Sequence, residues 1–312
     1  MEIVFDVVIP VFVVILCGWS SCKYWGLPRE SVDILNQYVL RFAVPPMLFL
    51  ATANASINDL VNPLFIAAFF LSSLITMFIG VFCYRGMKSK GVIDATVIAL
   101  ICGWGNTIYM GVPLAFYMFG EKGTIAVVVA TLTTNMVFIL WLSFFSNLKR
   151  SGNHLQNIWS TFIGMFCKSP VLIAPVIGGV FSYYSLSIPT PIYNLFSMLA
   201  PSAAPVALFA MGASLVGLNL KGEKKQLVWV SIVKVIVNPL IALGVVLLLD
   251  LEPYWAASVI LLSALPTGTM VFIFAKQHDK RVFLASSGIM LTTISSLFSL
   301  AIILPLLQAW VK

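Results

Sequence analysis

Charge is what this chain has least of. Only 9% of its 312 residues are Asp, Glu, Lys or Arg, and just 11 are acidic. That is too little to cover the surface of a water-soluble domain of this size, and it excludes a polyelectrolyte tail. Histidine and cysteine are scarce too, with His154 and His278 beside Cys17, Cys22, Cys83, Cys102 and Cys167. None of them stands at metal-ligand spacing, so no metal, cofactor or disulfide framework is expected, and the cysteines read as small buried hydrophobes. A basic leader region is also missing: Glu2 and Asp6 stand where one would be, and no small-residue cleavage site follows. The first apolar run is therefore expected to stay in the mature protein.

What fills the chain instead is apolar. Hydrophobic residues make up 60%, in runs of about 20, the length that crosses a bilayer as a helix. The pattern predicts an all-α polytopic membrane protein of ten transmembrane helices. The spans are placed at roughly 3–22, 31–51, 63–84, 93–118, 123–147, 169–186, 190–218, 226–249, 254–275 and 282–310. Lys23, Arg29, Arg85, Lys88, Lys90, Lys149, Arg150, Lys168, Lys221, Lys224, Lys225, Lys276, Lys280 and Arg281 all fall in alternate gaps. The positive-inside rule makes those gaps cytoplasmic and places both termini outside a plasma membrane. The net charge of +7 is then a product of topology, and no nucleic-acid partner is implied.

Residues repeat at a fixed offset. Pro46-Met47-Leu48-Phe49-Leu50-Ala51 matches Pro205-Val206-Ala207-Leu208-Phe209-Ala210, and Leu132-Thr133-Thr134 matches Leu291-Thr292-Thr293, both 159 residues on. Span two pairs with seven and span five with ten. Five spans per half is an odd number, so the halves are inverted: 1–147 and 169–312, joined by a cytoplasmic connection at 148–168. Leu155, Ile158, Trp159, Phe162, Ile163 and Phe166 recur there at the spacing of an interfacial helix. Inverted repeats belong to secondary transporters, because two near-equivalent halves supply two near-equivalent states. The pair Val61-Asn62-Pro63-Leu64 and Val237-Asn238-Pro239-Leu240 is offset by 176 and reads as chance.

The offset also aligns spans four and nine, and both carry helix breakers in mid-course: Gly105, Gly111 and Pro113 in one, Pro266 and Gly268 in the other. Proline removes an intrahelical hydrogen bond and glycine tolerates the resulting turn. Two broken helices are expected to cross near the midplane, with Gly105, Pro113 and Pro266 making the breaks and half-helix N-termini turned to an anion. Asn106, Thr107, Thr267 and Thr269 add polar side chains, with Thr133, Asn135 and Thr292 beside them in spans five and ten. Apart from Asp6, every carboxylate falls to one side of the membrane or the other, in a gap or at a span end, whereas Arg41 and Lys234 lie within spans. Cations without core carboxylates favour an anionic cargo, with Arg41 and Lys234 supplying long-range attraction.

Tyr38-Val39-Leu40-Arg41-Phe42-Ala43-Val44-Pro45-Pro46, Asn106 to Pro113 with Gly120, Lys168 to Pro175, Ala204 to Gly212 and Leu265-Pro266-Thr267 follow one another in the order found in the auxin efflux carrier family, which the chain resembles over its whole length. The resemblance implies two inverted five-helix repeats. Spans one, two, six and seven would be a scaffold, and spans three to five and eight to ten a mobile transport unit. The broken spans would cross at the substrate site. It also implies a bacterial-type carrier of a small carboxylate such as malate or malonate, or an auxin-like acid, moved by alternating access with a coupling proton or sodium; the apolar runs themselves call for a surrounding lipid bilayer, and the exposed apolar face of such a scaffold for a homodimer. Two rival readings stay open at this point: a proton- or sodium-coupled cation exchanger on the same architecture, and a membrane sensor that binds a metabolite without moving it. An enzyme is not expected, since both histidines sit in cytoplasmic loops and no nucleophile and base share a depth.

Overall fold

A computed structural model describes residues 6, 8–28, 30–84, 91–147, 169–217 and 224–311. The described residues are helical, without a named strand. The connection at 148–168, and with it the expected interfacial helix, lies outside them. The helices are α1 (Ile9–Tyr24), α2 (Glu30–Tyr38), α3 (Val44–Ala53), α4 (Ile57–Leu60), α5 (Pro63–Tyr84), α6 (Val92–Gly103), α7 (Val112–Phe119), α8 (Glu121–Asn147), α9 (Pro170–Tyr183), α10 (Thr190–Leu199), α11 (Ala203–Ser214), α12 (Lys224–Ile232), α13 (Asn238–Leu248), α14 (Pro253–Ala264), α15 (Met270–Gln277) and α16 (Val282–Val311).

Among the described residues, six stretches are long and apolar enough to cross a membrane: Glu30–Ala53, Ile57–Phe82, Glu121–Leu142, Thr190–Ser214, Lys224–Leu248 and Val282–Val311. Five shorter apolar helical stretches accompany them, namely Ile9–Tyr24, Val92–Gly103, Thr107–Phe119, Pro170–Tyr183 and Pro253–Ala264. Large apolar side chains such as Leu248, at 85%, and Met198, at 79%, face outward, a cost in water and a match to lipid. Cys102 is buried as expected, but Cys17 is exposed, because its position on α1 turns outward, where the surrounding solvent is hydrocarbon and nothing is gained by hiding an apolar side chain.

Among the described residues, five-residue π turns interrupt the helices at Val39–Ala43, Thr107–Gly111 and Val233–Val237. Each ends two residues before a proline, Pro45, Pro113 or Pro239. A proline has no N–H to give and its ring crowds the carbonyl four residues back, so the ladder widens by one residue just ahead of it. Val44 N–H accordingly bonds Val39 O, and Asn238 N–H bonds Val233 O. Arg41 and Lys234 both sit inside these turns. Pro113 therefore does not break its helix, contrary to expectation: it lies in the first turn of α7, where its missing N–H costs nothing.

The chain forms two compact units. The first comprises Met1–Asn62, Ile108–Leu132 and Phe162–Val216; the second comprises Pro63–Thr107, Thr133–Thr161 and Gly217–Lys312. In the first, α1 packs along α11 and α3 along α9. Glycines let the backbones nearly touch: a Cβ on Gly18 would fall 1.9 Å from Phe209 O, and one on Gly178 would fall 2.6 Å from Phe49 O. These two contacts are the same contact moved by 160 residues. Gly212, whose added Cβ would fall 1.8 Å from Ile15 O, closes the α1–α11 pair. The core beside them gathers Val39, Val44, Leu48, Tyr109, Val128 and Ala207, and Tyr109 donates its phenolic proton to Asn36 Oδ1 at 3.2 Å.

In the second unit α5 packs on α6 and α13 on α14, with the Phe65 ring tilted at 56° against Trp255, centroids 5.1 Å apart. Asp94 in the first turn of α6 takes two hydrogen bonds from Arg281, from Nε at 2.6 Å and from Nη2 at 3.1 Å. A fork of this kind fixes orientation as well as distance.

Substituting Gly212→Val or Gly178→Val should lower the thermal unfolding midpoint in detergent by an amount equivalent to about 2 kcal/mol or more. Gly244→Ala, where an added Cβ meets nothing within 4 Å, should leave it in place. Breaking the pair with Asp94→Asn should cost about 3 kcal/mol, read in the same melt.

Candidate functional site

Two helices stop in mid-course. α6 ends at Gly103 and α14 at Ala264, and Trp104 and Leu265 turn the chain from helical to extended backbone. The two unwound stretches then pair with each other. Gly105 and Thr267 form an isolated antiparallel bridge; Asn106 N–H donates to Pro266 O at 2.8 Å and Gly268 N–H to Trp104 O at 3.0 Å. Each of these groups left unpaired in hydrocarbon would cost several kcal/mol.

Both glycines are demanded by the crossing. A Cβ on Gly105 would stand 3.0 Å from Leu262 O, and one on Gly268 would stand 2.8 Å from Trp104 Cδ1 and 3.1 Å from Gly105 O. Thr267 ties the crossing to its surroundings: its hydroxyl donates to Ile101 O at 2.7 Å, one of the orphan carbonyls ending α6. Its N–H donates to Thr292 Oγ1 at 3.2 Å, and that hydroxyl donates in turn to Gly288 O at 2.7 Å. Thr267 and Thr292 are both 0% exposed. Asn106, Thr107 and Thr133 are buried in the same unit, and Asn135 is half-buried. Thr269 is half-buried at the start of α15, and its hydroxyl caps nothing.

Lys234 comes to this crossing. It is fully buried, and its Nζ donates to Ser263 O at 3.3 Å. Asn238 Nδ2 donates to the same carbonyl at 2.9 Å, while Asn238 Oδ1 accepts from Thr76 Oγ1 at 2.9 Å. Ser263 is the second-last residue of α14, so its carbonyl lies at the negative end of that helix's dipole, where a cation is stabilised. The ammonium lies 3.6 Å from the position of a Cβ on Gly105. Positive charge, half-helix ends and unwound backbone thus share one place.

Other expected site residues fall elsewhere. Gly111 and Pro113 belong to the first unit. Arg41, also in the first unit, is exposed and lines an apolar cavity of about 450 Å³ with Phe42, Pro46, Phe49, Phe181 and Phe196. His278 is exposed at the end of α15, and His154 lies outside the described residues. Two participants are absent from the sequence expectation. Asn238 sits in a tetrapeptide whose offset suggests coincidence, yet an amide within an apolar run beside a proline is itself a signal. Trp104 is masked by being one more aromatic in a chain with 8 tryptophans.

Comparison with known proteins matches residues 3–304 to the family described as "Membrane transport protein". A "Putative malonate transporter" of Rhizobium meliloti is 26% identical over 314 residues, covering 97% of this chain and 95% of that protein. An uncharacterized transporter of Methanocaldococcus jannaschii is 24% identical over 307 residues, covering 95% and 96%. Auxin efflux carrier component 5 of Arabidopsis thaliana is 27% identical over 157 residues, which are 50% of this chain and 44% of the plant protein.

Replacing Thr267→Val keeps the shape and the backbone bond to Thr292 but strands the Ile101 carbonyl, so stability should fall by about 1–3 kcal/mol. Thr269→Val, with no side-chain bond to lose, should melt like the wild type in the same detergent.

Proposed function

Because the chain belongs to the membrane transport protein family, which the auxin efflux carriers share, we propose that it is a secondary-type carrier of a small organic anion working by alternating access. The observation that carries this reading is the crossing of two unwound stretches at a fully buried ammonium, Lys234, in a unit whose described carboxylates do not approach it as salt-bridge partners. A crossing of that kind presents polar backbone inside an apolar protein, and such backbone persists only where it lines a cavity or is paired.

In this reading the substrate's carboxylate binds at the crossing through Asn106, Thr107 and Thr269, toward the positive end of the α15 dipole. Thr267, Thr292, Pro266 and Gly268 hold the geometry, and Thr133 and Asn135 complete the polar lining. Gly111 and Pro113 set the second half of span four, and Arg41 adds long-range attraction. Ten spans in two inverted repeats underlie this, and the recurrence of the glycine contacts at Gly18 and Gly178 at an offset of 160 supports them. Spans one, two, six and seven would be the scaffold, with spans three to five and eight to ten moving. Both termini face outside the plasma membrane, and a homodimer joins through the scaffold's apolar face.

The relative named for malonate makes that dicarboxylate, with malate, the first cargo to try. A fixed ammonium at a half-helix C-terminus does electrostatically what a bound cation does at such ends, so sodium coupling is not needed for charge balance. Labelled malonate, malate and indole-acetate uptake into proteoliposomes should saturate for at least one acid and persist when choline replaces sodium. Asn106→Ala should abolish that uptake while its melting profile stays unchanged. Full uptake by this variant overturns the site assignment, and no uptake of any acid by the wild type overturns the carrier.

A further inference from the structure

We propose that Trp104 contacts the substrate and sets its selectivity, its indole N–H donating to the carboxylate and its ring taking the apolar body. The inference rests on the carrier reading of the crossing and adds to it the residue that chooses among anions.

Trp104 opens the unwound stretch after α6, and its backbone carbonyl is one of the atoms that join the two stretches. Its side chain is held rather than loose. The indole lies edge-on to Phe138, centroids 5.2 Å apart at 80°, and Phe138 packs edge-on to Phe274 at 5.5 Å and 89°. From the other side the Cδ1–Nε1 edge lies over Gly268, leaving no room there for a Cβ. A ring pinned by an aromatic row and a bare glycine has lost most of its freedom before any ligand arrives, so a contact made with it carries little ordering cost.

The ring also has unused capacity. Its N–H finds no acceptor among the described residues, and the residue is half-buried, so the donor is not sealed away. At the same crossing the hydroxyls of Thr267 and Thr292 are already spent on Ile101 O and Gly288 O. Those two side chains are consumed in holding the geometry, and the indole N–H is a further donor at the same place. An indole N–H donates only, so what it suits is an acceptor such as a carboxylate oxygen.

Charge stoichiometry narrows the class of anion. Residues 95–111, 133–142, 263–275 and 286–296 contain no Asp, Glu, Lys or Arg, and Lys234 is the cation brought to them. One positive charge balances one carboxylate. A second carboxylate would meet an indole face, which repels anions by the same quadrupole that attracts cations. The arrangement fits a monocarboxylate with a flat or branched apolar body better than a short dicarboxylate.

The test uses the full chain in proteoliposomes, with labelled phenylacetate and malonate as probes and KM and kcat measured for each. Wild type should show a KM for phenylacetate at least tenfold below that for malonate. Trp104→Phe, which keeps a ring against Phe138 and removes the donor, should raise the phenylacetate KM roughly tenfold with kcat within twofold, as loss of a hydrogen bond to a charged group predicts. Trp104→Ala should bring the two KM values together. Should the alanine variant fail to fold, Trp104→Phe carries the test alone. The proposal is overturned by a wild-type preference for malonate, or by an unchanged phenylacetate KM in Trp104→Phe. Wild type that moves neither acid overturns this inference whatever else it carries, and wild type that moves no acid at all overturns the carrier reading with it.

Discussion

A peptide group that cannot reach water must find its partner within the protein, and the centre of this molecule is organised by that requirement. Helices meet it residue by residue. Where α6 and α14 stop, they cannot, and the two unwound stretches meet it for each other through the bridge between Gly105 and Thr267. The remaining demand falls on side chains: Thr267 takes the Ile101 carbonyl, and Lys234 and Asn238 together take that of Ser263. What looks like a polar site is first a solution to backbone desolvation, and only the groups left over are available to a ligand.

Proline supplies a second regularity. Its missing N–H has two outcomes here, according to position. At Pro266 the helix is lost altogether, while ahead of Pro45, Pro113 and Pro239 it survives by widening into one π turn. The widened turns place Arg41 and Lys234, both intramembrane cations, next to carbonyls with weakened helical partners. Lys234 uses such a neighbourhood to remain fully buried, whereas Arg41 stays at the surface beside an apolar cavity.

Much of this was legible in the residues, because apolar run length, glycine and proline act locally. The helical character, the approximate course of the long helices and the interruptions near Gly105 and Pro266 all follow from those signals. The exact place of the first interruption did not, since a proline in a first helical turn is harmless and Pro113 occupies one. Nor did the partners. Asp94 and Arg281 are 187 residues apart and each looks like an ordinary loop-side charge until the fold brings them together. Thr267 stands among the residues expected to meet the substrate, but whether a hydroxyl is spent or spare depends on a carbonyl 166 residues away.

That separation has a kinetic meaning. The ladder at the crossing joins stretches from opposite ends of the chain, so its entropy of closure is met only after nearly all of the polypeptide has been made. Until α14 and the turn after it arrive, Trp104 to Asn106 must sit with bare peptide groups in an environment that offers no water. The nascent first half is therefore a metastable intermediate, at its most vulnerable to mispairing at the very place the finished protein is most tightly organised. A chain of this design depends on the order and pace of its insertion as much as on its final contacts.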